Sequence, residues 1–334
     1  MEHQVSDTLI NTWAAILALM LFMYAALDGF DLGVGILSLL EADPQRKSVM
    51  MHSVGSVWDA NETWLVLLGG TLFGAFPLAY AAALQALYLP VLLMLFALIF
   101  RGVAFEFCLY SQKTKGTSWL FAFGAGSLFA ALAQGLALGG LLSGLPLNGA
   151  DDRIDIFAWF TPFSLLTAAL LVTGYVVLGA TYLVCKTDGR LRESATNWVW
   201  RSAILLGALL ATFIFYSPMM TPYVTERWTS NPVFFSLLAA TLIVSFSLML
   251  WRLNKKSHSQ PFFWCLCTLL TVLLGLVVSH YPYILPGVMT LHAAASSTKT
   301  LEFMLYAEGG LLPLMLIYNG YQYYALRGPV GENH

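Results

Sequence analysis

The chain has 334 residues, of which 58% are hydrophobic and only 10% charged, with a mean hydropathy of +0.73. Soluble domains carry about 25% charged residues, so this chain cannot cover a water-facing surface and reads as an all-α integral membrane protein. A formal net charge of −2, with no basic run to neutralise phosphates, excludes a nucleic-acid partner.

About 20 mostly apolar residues cross a bilayer. Nine stretches qualify: 8–38, 48–75, 78–107, 117–143, 156–185, 194–217, 231–253, 260–281 and 303–326. The opening "MEHQVSDTLINTW" is acidic, with no basic segment and no cleavage site, and is not read as a signal peptide. The first span carries "ALDGFDLGVG", in which Asp28 and Asp31 share a helix face and Gly35 continues it. Gly29 and Gly33 form a small-xxx-small pair that admits a neighbouring helix closely.

The second span carries "SVWDANETWL", with Asp59 and Glu62 three apart and Trp58 and Asn61 on the adjacent stripe. Counting about 1.5 Å per residue from the start of the span, Asp59 is expected roughly 16 Å in, the deepest of the acids. The third span ends "IFRGVAFEF". Arg101 and Glu106 are about 140° apart around the helix and are not expected to pair with each other. Each acid at a helix centre costs about 2.5–3.5 kcal/mol on insertion scales. One arginine cannot neutralise Asp28, Asp31, Asp59 and Glu62 together, so protonatable stations are expected beside a structural ion pair.

The polar stretch "SGLPLNGADDRID" splits the chain after four spans. The expected units are 1–147, 148–290, and 291–334 with an outer loop and the final span. "YSPMMTPY" and "HYPYILPG" form a faint echo, each closing a span with two prolines. Cys108, Cys185, Cys265 and Cys267 lack C-x-x-C spacing and are read as inert thiols, with no metal site. His52 and His280 are read as interfacial or structural. Trp13, Trp119, Trp159 and Trp228 near span ends form an aromatic belt.

Orientation follows the basic residues. Arg46, Lys47, Lys113, Lys115, Lys186, Arg190, Arg192, Arg252, Lys255, Lys256 and Arg327 fall on one side, against Arg153, Arg227 and Lys299 on the other. The N-terminus is therefore expected outside and the C-terminus in the cytoplasm.

"DGFDLGVG", "WDANETWL" with "GGTLFGAFPLAYAAA", and "FRGVAFEF" resemble subunit II of the cytochrome bd family of quinol oxidases, and the chain length is similar to that of its cyanide-insensitive branch. The resemblance implies two four-helix bundles plus a peripheral helix, in a bacterial cytoplasmic (inner) membrane. It implies a heterodimer with subunit I, which holds haem b and haem d or a b-type replacement and oxidises quinol. A small single-span subunit, membrane lipid and quinone are further partners the resemblance implies.

It also implies that Asp28, Asp31, Asp59 and Glu106 are proton-pathway or structural acids, supported by Trp58 and Arg101, and that Trp64 stands near an oxygen-access route. Two departures stand out: relatives often have proline after the arginine and aspartate at position 106, and Glu62 replaces a commonly neutral residue. The rival reading, a proton-coupled secondary transporter, calls for an inverted repeat and broken helices meeting at a midplane site.

Overall fold

The computed structural model describes residues 6–110, 116–144, 156–325, 328 and 330. Lys113, Lys115, Arg153, Arg327 and the expected boundary at 147/148 lie outside them.

The first helix, α1 (Asp7–Leu40), has 34 residues, about 51 Å at 1.5 Å per residue. It therefore extends well beyond a hydrocarbon core of about 30 Å. Its apolar start and glycine-rich second half make it the common wall of the subunit. Asp43 then caps α2 (Pro44–Val54), accepting from the Gln45 N–H at 2.9 Å. That bond, with help from Arg46, holds the Asp43 carboxyl below the usual range.

The expected second span, 48–75, is divided. Gly55 ends α2 by donating its N–H to the His52 carbonyl, and α3 (Trp58–Ala75) restarts after Val57. At Phe76 the chain turns by 120° into the short helix α4 (Pro77–Ala86), with Pro77 in its first turn. Then comes α5 (Tyr88–Tyr110). Pro90 lacks the N–H that would bond back to Ala86, so the expected third span, 78–107, breaks near Leu87.

Then follow α6 (Gly116–Leu142) and α7 (Pro162–Lys186), the latter opened by a reciprocal cap between Thr161 and Ser164. Next are α8 (Gly189–Met220), α9 (Pro222–Ser230), α10 (Pro232–Asn254) and α11 (Gln260–His280). A two-stranded antiparallel ribbon, β1 (Tyr283–Leu285) and β2 (Met289–Thr290), leads through α12 (Leu291–Ala294) to α13 (Thr298–Ala325). Among the described residues eight helices can cross a membrane alone, and the bent pair α3–α4 makes nine. The two proline echoes fold differently, one into α9 and the other into β1, so they are not a structural repeat.

The seams run α5 on α6, α6 and α1 on α7, α7 on α8, α10 on α11 and α13 on α3. Two of them join the first four spans to the fifth. The tightest crossing is α1 on α7, where a Cβ on Gly33 would overlap the Tyr175 carbonyl oxygen. The ribbon side closes over helix ends: Ser296 donates its N–H to Ala75 O and its hydroxyl to Gly74 O, capping α3. Trp13 Nε1 donates to Leu301 O at 3.2 Å. At the opposite side Val330 N–H donates to Lys186 O at 2.8 Å, tying that residue to the last turn of α7.

Candidate functional site

Asp28 and Asp31 lie on one face of α1 and are fully buried. Arg101, projecting from α5 and 1% exposed, donates from Nη1 to Asp28 Oδ1 at 2.9 Å, while its Nη2 stands 4.0 Å from Asp31 Oδ2. The guanidinium also sits 5.9 Å from the centre of the Phe123 ring on α6. Arg101 thus pairs with an aspartate, and Glu106, not expected to pair with it, does not.

Asn61 on α3 completes the cluster. Its Nδ2 donates to Asp31 Oδ2 at 2.8 Å, and its Oδ1 accepts from the Tyr323 hydroxyl of α13, also at 2.8 Å. Four helices thus converge on two carboxyls and one cation. Among the described residues Asp28 Oδ2 and Asp31 Oδ1 have no hydrogen-bond partner. Phe30, on the opposite face of α1, stacks on Tyr182 of α7 at 4.1 Å between ring centres and fixes the rotation of α1.

The other acids stand apart. Asp59 was expected deepest, but α3 begins at Trp58, so Asp59 occupies its first turn and is exposed. The count from residue 48 had run through the Gly55–Val57 turn, which advances the chain without continuing the helix. Glu106 is exposed on α5, and Glu62 is half-buried beside the cluster. Trp58 packs on Phe105 at 5.1 Å between ring centres. Trp64 is fully buried against Met20 and Tyr24 of α1, its Nε1 without a partner among the described residues. Asp28, Asp31 and Arg101 come together; Asp59 and Glu106 do not join them.

Sequence reasoning gave no role to Asn61, Gln134, Tyr24, Tyr175 or Tyr323. The available signal was a polar side chain interrupting an apolar helix: Gln134 does so in α6, and Tyr24 sits one turn before Asp28.

Residues 9–326 match the family described as cytochrome bd terminal oxidase subunit II. The chain belongs to that family. It is 28% identical to cytochrome bd-I ubiquinol oxidase subunit 2 of Escherichia coli K12, over 95% of this chain and 94% of that one. It is 26% identical to cytochrome bd ubiquinol oxidase subunit 2 of Bacillus subtilis strain 168, over 97% and 98%. A solved bd oxidase from Geobacillus thermodenitrificans has the same fold, with a TM-score of 0.81 at 21% identity over 95% of this chain and 98% of that chain.

A cytochrome bd oxidase is a haem enzyme, and the described histidines stand apart from one another. His52 is exposed and bonded through Nδ1 to Ser48 O. His280 is buried, its Nδ1 on Leu276 O and its ring edge-on to Tyr223. His292 is exposed, 3.4 Å from Asp7. No two imidazoles share a buried site among the described residues.

Proposed function

We propose that this chain is subunit II of a membrane-bound quinol:oxygen oxidoreductase, pairing with a subunit I that holds haem b and haem d or a b-type replacement. In that reaction two quinols give four electrons to one oxygen molecule. Four protons leave on the quinol side, and four are drawn from the cytoplasm to make two waters. Charge separation then needs no pump. On this reading the chain supports subunit I and supplies a cytoplasmic proton route.

The observation that carries the proposal is the charge count at the buried cluster. Two carboxyls meet one guanidinium, and an uncompensated buried charge costs several kcal/mol. The account closes when one carboxyl holds a proton, which is what a relay station needs. Asp59 and Glu106, exposed on α3 and α5, give the partner an acidic face, since carboxylates within a span require cover. The basic-residue bias supports a cytoplasmic C-terminus.

The test is co-expression with a cytochrome bd subunit I and an optical spectrum of the purified complex. Reduced-minus-oxidised haem bands are expected only when both subunits are present. A chain purified alone, colourless and without a partner, yet moving protons with a solute into vesicles, would establish the transporter instead.

Two further outcomes are expected. Asp59→Asn should leave haem content and assembly intact while quinol-dependent oxygen consumption falls at least about tenfold, or about 1.4 kcal/mol on the barrier. Loss of haem together with activity would make Asp59 a structural counter-charge, and normal values of both would remove it from the route. Single cysteines at 255 and 299, in a background without native thiols, should separate by side. Position 299 should label from outside in intact cells, and labelling at 255 would reverse the orientation.

A further inference from the structure

Asp28 has an unanswered oxygen besides the one bonded to Arg101: its buried Oδ2 has no partner among the described residues. Tyr24, one turn earlier on α1, shares that helix face and is buried. Gln134 reaches that hydroxyl from α6, with Nε2 2.5 Å from Tyr24 Oη, and its Oε1 accepts from the Tyr175 hydroxyl of α7 at 2.9 Å. The string Tyr175–Gln134–Tyr24 therefore crosses three helices and ends one helical turn from Asp28.

An amide can sit either way round between two phenols. If Oε1 faced Tyr24, that phenol would give its proton to the amide and leave Asp28 Oδ2 without a donor. With Nε2 facing Tyr24, the phenol oxygen accepts from the amide and its own proton is free for the carboxylate. Hydrogen bonds to an ionised acceptor are about twice as strong as neutral ones, so the second arrangement wins.

We propose that Gln134 is a positioning residue: it turns the Tyr24 hydroxyl toward Asp28, holding that carboxyl as the fixed anion of the cluster and leaving Asp31 as the one that carries the exchangeable proton. Asp28 then has the guanidinium and a phenol. Asp31 has an amide from Asn61 and a guanidinium nitrogen no nearer than 4.0 Å. The inference rests on the proton-route reading. The charged and titratable groups facing the two carboxyls are Arg101 from α5, Glu62 from α3, Tyr323 from α13, Tyr175 and Tyr182 from α7 and Tyr24 from α1 itself. Besides the Arg101 guanidinium over Phe123, the hydrogen-bonded string through Gln134 leads from α6 toward Asp28 among the described residues.

The test uses the intact two-subunit oxidase, with Tyr24→Phe, Gln134→Leu and the double variant. Tyr24→Phe removes one oxygen and keeps the ring, so it remains informative if Gln134→Leu fails to assemble. Without its phenol donor Asp28 competes for the proton, and the cluster holds that proton more tightly. The acid limb of the pH profile for oxygen consumption should move up by about 1 pH unit, as for a lost hydrogen bond to a charged group. The protonated-carboxyl band in the infrared spectrum should change with it. The double variant should shift no further than either single one, because both act through one donor.

A uniform fall in rate with an unmoved profile and an unchanged infrared band would show a merely structural role and overturn the proposal, as would additive shifts. Asp31→Asn separates this from the wider reading. If it abolishes the infrared band but leaves turnover normal, the proton-route reading fails while the assignment of the proton stands. If the band survives Asp31→Asn, the assignment fails.

Discussion

Arg101→Met should prevent recovery of a haem-bearing complex, because it removes the one cation facing Asp28 and Asp31 at 2.9 and 4.0 Å. Both carboxyls and the guanidinium are sealed from solvent. Breaking a buried pair from one side costs about 3–5 kcal/mol, a large part of the roughly 5–15 kcal/mol that holds a folded protein together. Haem per complex and membrane yield are the measurements. The companion variant Arg101→Met with Asp28→Asn withdraws a negative charge as well and should recover part of the loss. An equal loss in both would show that Arg101 acts through its shape against Phe123 and not through charge.

Gly179→Leu should be nearly as damaging, by a different route. Gly179 meets Gly33 backbone to backbone: a Cβ there would stand 2.5 Å from both Gly33 C and Val34 N. No rotamer can yield when both surfaces are main chain, so α1 and α7 must part. Overpacking costs about 1–3 kcal/mol and occasionally more. Here the separation also draws the Asp28 face away from the helices that complete its cluster. Complex yield should fall at least about tenfold, the ratio that ~1.4 kcal/mol represents. Gly69→Ala and Gly70→Ala, where nothing lies within 4 Å of the new carbon, should be neutral. A normal yield for Gly179→Leu would mean the crossing is looser than described.

Much of this arrangement could be read from the residues. Hydropathy alone located the spans, because bilayer thickness sets the length of apolar runs independently of tertiary contacts. A structural ion pair within the spans followed from charge, there being few cations to choose from, but not which carboxyl Arg101 would meet. The turn at Gly55–Val57 was marked by a lone glycine only, so the true start of α3 was missed and the count to Asp59 along one unbroken helix did not hold. The break at residues 76–77 was legible, since the expected spans 48–75 and 78–107 part there, but not that α4 separates from α5 near Leu87. Asn61 was quoted in its motif without a partner, and Gln134 was passed over. Both act by reaching between helices, and the rotation of one helix against another is set by packing such as Phe30 on Tyr182, which no single helix encodes.

Asp28 and Arg101 are 73 residues apart in the chain, and the ribosome makes them in that order. At about 5–20 residues per second, roughly 4–15 s separate the arrival of α1 from that of its counter-ion. During that interval α1 carries two carboxyls, each costing about 2.5–3.5 kcal/mol if placed at the centre of a lone helix. The nascent helix must therefore wait protonated, or beside the insertion machinery, until α5 emerges. The helix that becomes the common wall of the finished subunit thus meets the lipid with two carboxyls whose counter-ion is not yet translated.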